Sequence, residues 1–223
     1  MNNQKIGILE HSSLKKKRSF AERLKRKLFR KDRGSLLLRL KFKFTNSIGS
    51  VLDRKSKKRL KGGRYAMLRF IPKAGNGVEV GVWRGDFSQA LLSHLKPVNL
   101  TLIDPWGHQE DAEELHRGVC KRFSSNNNVK VLRSSSLEAA KTFADQSFDW
   151  VYIDGSHDYE DVLADLKTWK LKIKKNGILF GDDYYWRDTK GNYCVKKAVD
   201  EFISTCNPKL WVVFRGQFLF QFD

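Results

Sequence analysis

Three acidic residues and one histidine follow two apolar runs of this sequence, and the acids are spaced like cation ligands. The run Phe148–Ile153 leads to Asp154, and the run Ile178–Phe180 leads to Asp182 and Asp183. Neighbouring parallel strands lie ~4.8 Å apart and end at one edge, so we expect Asp154 and Asp182 to face each other there. Two carboxylates ~5 Å apart repel by roughly 3 kcal/mol at an effective dielectric constant of ~20, and a shared proton, a basic side chain or a cation would offset that repulsion. Oxygen ligands favour Mg²⁺, or another divalent cation, over zinc. We therefore predict metal binding by Asp154, Asp182 and Asp183, with ordinary loop acids as the alternative.

His157 follows Asp154 by three residues and is expected above the same edge. An imidazole with a pKa near neutrality can take a proton from an acceptor hydroxyl. A cation beside it would lower the pKa of that hydroxyl and orient it. We predict that His157, Asp154 and Asp182 carry the catalytic step. A histidine that caps the following helix is the alternative.

A glycine turn earlier in the chain has the form of a cofactor site. The pattern of residues 77–82 predicts a buried strand, and Gly81 and Gly85 are spaced for a tight turn into a helix that Asp86 or Ser88 can cap. The free N–H groups at the start of that helix can hold a carboxylate. The spacing differs from the dinucleotide-binding pattern, because Trp83 occupies the middle position.

Two further loops complete this predicted edge. The second strand, residues 98–103, is followed by Asp104, a carboxylate that can accept hydrogen bonds from both hydroxyls of a ribose. A third strand, residues 129–132, leads to Ser135 and Ser136, whose hydroxyls are candidates for adenine contacts. Glycines, a ribose-binding acid and a cation site on one edge together point to methyl transfer from S-adenosylmethionine.

The positive charge of the chain is concentrated at its start. Residues 1–64 hold 22 of the 43 lysines and arginines and 4 of the 25 acids, which accounts for the whole net charge of +18. The chain is 40% hydrophobic and 12% aromatic, as folded proteins are. We predict a basic arm at residues 1–62, amphipathic or partly disordered, and a single domain at residues 63–223.

The basic arm has the composition of a surface-binding segment. Lysines and arginines alternate with leucines and phenylalanines over residues 14–61, which favours an anionic membrane face or an acidic partner over nucleic acid. A solvated arm without a ligand is the alternative. No secretory signal is evident and the three cysteines form no close pair, so we predict a cytoplasmic protein, peripheral at the inner membrane face through this arm. The sequence leaves the oligomeric state open.

From about residue 75 to residue 202 the chain resembles the class I S-adenosylmethionine-dependent methyltransferases. The likeness is greatest to the metal-dependent small-molecule and sugar O-methyltransferases, a group that includes macrocycle-sugar enzymes. It rests on the segments VEVGVWRGDFS of residues 78–88, YIDGSHDYE of residues 152–160 and GDDY of residues 181–184. One departure is the third motif, where the group has an acid before a serine and this chain has three serines. With the resemblance, the predicted cofactor-binding residues are Glu79, Gly81, Trp83, Gly85, Ser88, Asp104, Ser135, Ser136 and Asp154.

The end of the chain completes the predicted fold. Residues 212–214 and 218–222 are apolar and flank Arg215–Gln217, a pattern typical of a hairpin. We predict an α/β fold: a doubly wound, Rossmann-like, mostly parallel sheet of seven strands with a C-terminal antiparallel hairpin, preceded by the basic extension. The predicted function is an O-methyltransferase that acts on a hydroxyl of a sugar or other small polyol with Mg²⁺. The rivals are an RNA methyltransferase that grips phosphates through the arm, and a non-catalytic adapter on a methyltransferase scaffold.

Overall fold

The computed structural model describes residues 63–107 and 110–223. The predictions for the basic arm, residues 1–62, therefore lie outside the described residues. The first element is a 3₁₀-helix, Gly63–Phe70. The elements after it are β1 (Asn76–Val80), α1 (Asp86–Leu95), β2 (Asn99–Asp104), α2 (Ala112–Phe123), β3 (Val129–Arg133), α3 (Ser136–Lys141), β4 (Phe148–Ile153), α4 (Tyr159–Lys172), β5 (Ile173–Gly181), α5 (Cys194–Cys206), β6 (Leu210–Phe214) and β7 (Gln217–Gln221).

One seven-stranded sheet organises the domain, in the order β3-β2-β1-β4-β5-β7-β6. The first five strands of that order pair in parallel, and β7 runs antiparallel to both β5 and β6. Each parallel strand follows a helix, as parallel crossovers require. This confirms the predicted doubly wound sheet with its C-terminal hairpin.

The order of the strands fixes where a ligand can bind. After β1 the chain moves outward through β2 and β3, and then returns to the other side of β1 with β4 and β5. The crevice at such a reversal lies at the carboxyl ends of the strands and is the usual ligand site of an open α/β sheet. We call this edge, formed by the carboxyl ends of β1 to β5 and the loops that follow them, the rim.

The strands are continuous apolar runs in the sequence because both faces of the sheet are buried. Trp150 on β4 and Phe180 on β5 are fully buried in the sheet, and Trp169 on α4 and Phe202 on α5 are fully buried as well. Strand β5 starts at Ile173, five residues before the apolar run that predicted it. Ile173 pairs with Phe148, and a bulge then shifts the register, so the polar stretch before Ile178 is still part of the strand.

No helix within the described ranges is both long enough and apolar enough to cross a membrane. The three cysteines are unpaired, as their spacing predicted.

Candidate active site

A large cavity opens at the rim. Its volume is about 860 Å³, within the range of roughly 300–1,000 Å³ that is usual for small-molecule sites. Loops after β1, β2, β3 and β4 line it, together with the first half of α4 and one residue after β5. Its lining includes the predicted site residues Glu79, Gly81, Trp83, Asp104, Ser135, Ser136, Asp154, His157 and Asp183.

Gly81 lets the ends of β1 and β4 lie in close contact beside this cavity. Its φ is +87°, and a Cβ added there would overlap the backbone carbonyl oxygen of Asp154. Its N–H donates to the carbonyl oxygen of Ile103 on β2, at 2.9 Å. The glycine therefore does two things that no other residue can: it turns the chain after β1 and leaves room for the start of the Asp154 loop.

Asp104 is tied to the glycine turn by backbone hydrogen bonds. Its Oδ2 accepts the N–H groups of Val82 and Trp83, both at 2.9 Å, and its Oδ1 accepts the N–H of Trp106 at 2.7 Å. A carboxylate has about four acceptor positions, so about one is left on Oδ1 for a ligand. The sequence led us to expect that Asp104 holds both ribose hydroxyls. In this geometry it can accept one of them without releasing a backbone partner.

Two predicted cofactor residues, Gly85 and Ser88, lie outside the cavity lining. The Ser88 hydroxyl is fully buried and donates to Glu79 Oε2 at 2.5 Å. Ser88 therefore holds Glu79, which does line the cavity. The structure shows no side-chain cap on α1, whose N-cap is Gly85 in a left-handed conformation. Trp83 lines the cavity with 51% of its surface exposed.

Asp154, His157 and Asp183 meet at the other end of the cavity, and we call them the acid–histidine set. One potential ligand atom from each residue lies within 4.8 Å of the other two. His157 Nε2 lies 2.8 Å from Asp183 Oδ2, and the imidazole stacks on the indole of Trp186 with 4.6 Å between ring centroids. These contacts hold the imidazole at a defined position and angle beside the cavity.

Asp182 does not belong to the acid–histidine set, although the pairing of Ile153 with Gly181 brings Asp154 and Asp182 side by side at the ends of β4 and β5, as strand spacing predicted. Its Oδ1 accepts the backbone N–H of Asp183 at 2.9 Å. Asp183 has a φ of +60°, which turns the chain so that the two successive acids do not point the same way. Asp182 lines a much smaller cavity, which shares Asp154 and Asp183 with the main one. The set of close ligand atoms thus contains His157 in the place where we predicted Asp182.

Two buried polar contacts at the site escaped the sequence analysis. The hydroxyl of Tyr152 donates to Asp154 Oδ2 at 3.2 Å. Alternation along a strand places residues two apart on the same face, so this pairing had a signal in the sequence. The second contact joins Asp165 on α4 to Ser136, whose hydroxyl donates to Asp165 Oδ1 at 2.5 Å. Burial is the main cause that raises the pKa of Asp165 to about 6.

Comparison with known proteins agrees with this architecture. Residues 78–184 match a family model described as a methyltransferase domain, Methyltransf_24. An uncharacterized protein of Acanthamoeba polyphaga mimivirus, R132, is 28% identical over 131 residues, which are 57% of this chain and 58% of that protein. The chain therefore spans less than two thirds of the length of this relative.

Solved structures share the fold at low sequence identity. A Staphylococcus aureus protein provisionally assigned as a caffeoyl-CoA O-methyltransferase superposes with a TM-score of 0.56 at 14% identity, over 78% of this chain and 90% of that one. A Streptococcus mutans protein provisionally assigned as a methyltransferase, solved with S-adenosylhomocysteine, gives a TM-score of 0.56 at 14% identity, over 73% of this chain and 98% of that one. The match of residues 78–184 is thus to a methyltransferase domain, and these solved structures share the fold of this chain.

Proposed function

We propose that this protein transfers a methyl group from S-adenosylmethionine to a hydroxyl of a neutral sugar or another small polyol, assisted by a divalent cation. One observation carries the proposal. A single cavity contains both the glycine turn with Asp104, where the cofactor is expected, and the acid–histidine set, where an acceptor hydroxyl would be activated. Donor and acceptor sites in one cavity are what direct group transfer needs.

The charge of the cavity supports a neutral acceptor. Nine of its described lining residues are acids and none is lysine or arginine: Glu79, Asp86, Asp104, Glu138, Asp154, Asp158, Asp161, Asp165 and Asp183. A single pair of like charges ~5 Å apart costs roughly 3 kcal/mol at an effective dielectric constant of ~20. This lining suits a positively charged sulfonium and a cation, and disfavours an acceptor that carries phosphate or another anionic group.

The acid–histidine set fits a divalent cation. The carboxylates of Asp154 and Asp183 are oxygen donors of the kind that Mg²⁺ and Mn²⁺ prefer, and His157 lies beside them. Asp154 and Asp183 would hold the cation, and Tyr152 keeps the Asp154 carboxylate in place. When bound, such a cation lowers the pKa of an acceptor hydroxyl.

His157 would act as the base in this mechanism. Asp183 engages Nε2 of the imidazole, which leaves Nδ1 as the nitrogen that can accept a proton. S-Adenosylmethionine supplies an electrophilic methyl group when bound. The acceptor hydroxyl would give its proton to His157 as its oxygen takes up that methyl group, and the electron pair of the broken carbon–sulfur bond would stay on sulfur. The products are a methyl ether and S-adenosylhomocysteine.

The proposal is tested by transfer of a labelled methyl group. Neutral glycosides and polyols are each paired with their phosphorylated counterparts and incubated with S-[methyl-³H]adenosylmethionine and Mg²⁺ or Mn²⁺. We expect label in the neutral member of a pair, a value of kcat/KM lower by about 10-fold or more for the charged member, and loss of transfer with chelator that added cation restores.

Three results would contradict the proposal, each in a different way. Label that enters RNA, and is lost when residues 1–62 are deleted, would favour the nucleic-acid methyltransferase. Full activity in chelator would remove the cation from the mechanism. A wild-type protein that binds no S-adenosylmethionine would favour the non-catalytic adapter.

A further inference from the structure

A buried acid on α4 borders the cavity beside the loop that follows β3. Asp165 is 5% exposed, yet it belongs to the cavity lining. Its Oδ1 accepts the Ser136 hydroxyl, and that hydroxyl in turn accepts the indole N–H of Trp169 at 2.8 Å. The hydrogen bond from Trp169 therefore orients the Ser136 hydroxyl, and that hydroxyl donates its proton to one carboxylate oxygen of Asp165. The second carboxylate oxygen remains an acceptor without a hydrogen-bond partner within the described residues.

The order of the strands indicates which part of the cofactor lies here. Along the rim, the loop after β3 is next to Asp104 at the end of β2, and Asp104 is next to the glycine turn after β1. A cofactor with its methionine part at the glycine turn and its ribose at Asp104 would extend its adenine toward β3. Ser135 and Ser136 follow β3, and Ser136 is hydrogen-bonded to Asp165.

Other acids at this end of the cavity are already engaged by side chains. Glu138 is exposed and forms an ion pair with Lys141 at 2.5 Å. Asp161 accepts the Ser156 hydroxyl at 2.8 Å and is exposed as well. Asp165 differs because it is buried and its partner is a hydroxyl. A hydrogen bond that it accepts is therefore stronger than one accepted by an acid exposed to water.

We infer that Asp165 accepts a hydrogen bond from the exocyclic amine of adenine, so that an acid on α4 takes the place of the acid that the serine loop after β3 lacks. This rests on the assignment of S-adenosylmethionine to the rim. A carboxylate only accepts hydrogen bonds, and the exocyclic amine of adenine only donates them in the plane of the ring. A base that carries a carbonyl oxygen in place of the amine, as hypoxanthine does, would be repelled by Asp165.

The test compares S-adenosylhomocysteine with its deaminated analogue, S-inosylhomocysteine, by calorimetry on the full chain. We expect the wild-type protein to prefer the adenosyl compound by about 10- to 100-fold, the value of one hydrogen bond to a charged group. In Asp165→Asn, the amide can donate to the carbonyl oxygen of hypoxanthine. We therefore expect this variant to bind the adenosyl compound about 10-fold or more weakly and to lose or reverse the preference.

Two controls separate this effect from damage to the fold. Glu138→Gln removes an exposed acid of the neighbouring helix and should keep the wild-type preference. Because burial raises the folded-state pKa of Asp165 to about 6, its ionised form opposes folding. Its contribution to stability is fully present below the unfolded pKa of about 4 and is lost as the pH rises through about 6. Asp165→Asn should therefore keep or raise the Tm at pH 7.

The outcomes are distinguishable. An unchanged preference in Asp165→Asn would overturn the role of Asp165 while leaving the cofactor assignment intact. A wild-type protein that binds both compounds equally would overturn it without any variant. A wild-type protein that binds neither compound would overturn the cofactor assignment itself, and this inference with it.

Discussion

Replacement of His157 by glutamine is expected to lower the rate of methyl transfer by about 10²- to 10⁴-fold, the usual contribution of a general base. Glutamine keeps a polar side chain of similar reach, but it cannot take up the hydroxyl proton. Affinity for S-adenosylmethionine should stay within a few-fold of the wild-type value, because the role proposed for His157 is on the acceptor. Single-turnover rates with a labelled acceptor and calorimetry with the cofactor measure the two effects separately.

The same variant decides between the two roles that its position allows. His157 is close enough to Asp154 and Asp183 to be a cation ligand, and it is also held by Asp183 as a base would be. We expect His157→Gln to leave the affinity for Mn²⁺ within a few-fold of wild type. A parallel fall in cation affinity and rate would make His157 a ligand and contradict its role as the base. His94→Gln is the matched control, because His94 is exposed on α1 and bonds only to its own helix, at the Ala90 carbonyl.

Replacement of Gly81 by alanine is expected to abolish cofactor binding and to lower the free energy of unfolding by roughly 2–5 kcal/mol. The estimate combines the cost of a side chain at positive φ, about 1–2 kcal/mol, with that of overpacking, about 1–3 kcal/mol. The added Cβ would overlap the Asp154 carbonyl, and the clash is with backbone, so β1 and β4 must separate at the rim. Denaturant unfolding and calorimetry with S-adenosylmethionine measure the two losses.

Gly191 offers a matched control for that variant. Its φ is +84°, nearly that of Gly81, but a Cβ added there would meet no atom within 4 Å. Gly191→Ala should therefore show only the backbone strain, about 1–2 kcal/mol, and should retain cofactor binding. Equal destabilisation in the two variants would mean that the contact with Asp154 contributes nothing, and it would contradict the structural role assigned to Gly81.

The fold and much of the rim could be predicted because both depend on local pattern. A buried parallel strand reads as an apolar run, and the first polar residue after it falls at the carboxyl edge of the sheet. That logic predicted Asp104, Asp154 and His157 at one edge of the sheet, and all three line the cavity. The hairpin at the end of the chain was equally evident, since two apolar runs flank a short turn.

The directions of individual side chains could not be predicted in the same way. Asp182 and Asp183 are adjacent in sequence, and only the positive φ of Asp183 decides which of them joins the acid–histidine set. The three backbone donors around Asp104 depend on the path of two separate loops. Asp165 did leave a signal, because it lies between Val162 and Trp169 on the buried face of α4, where an unexplained acid marks a specific partner.

The most direct measurement is a crystal structure of the protein with S-adenosylhomocysteine bound. We expect one ribose hydroxyl on Asp104, the homocysteine part at the turn of Gly81 with its sulfur toward His157, and the adenine against Ser136 and Asp165. S-Adenosylhomocysteine bound at any surface other than the carboxyl ends of these strands, or with its sulfur directed away from His157, would contradict the assignment of methyl transfer to this rim.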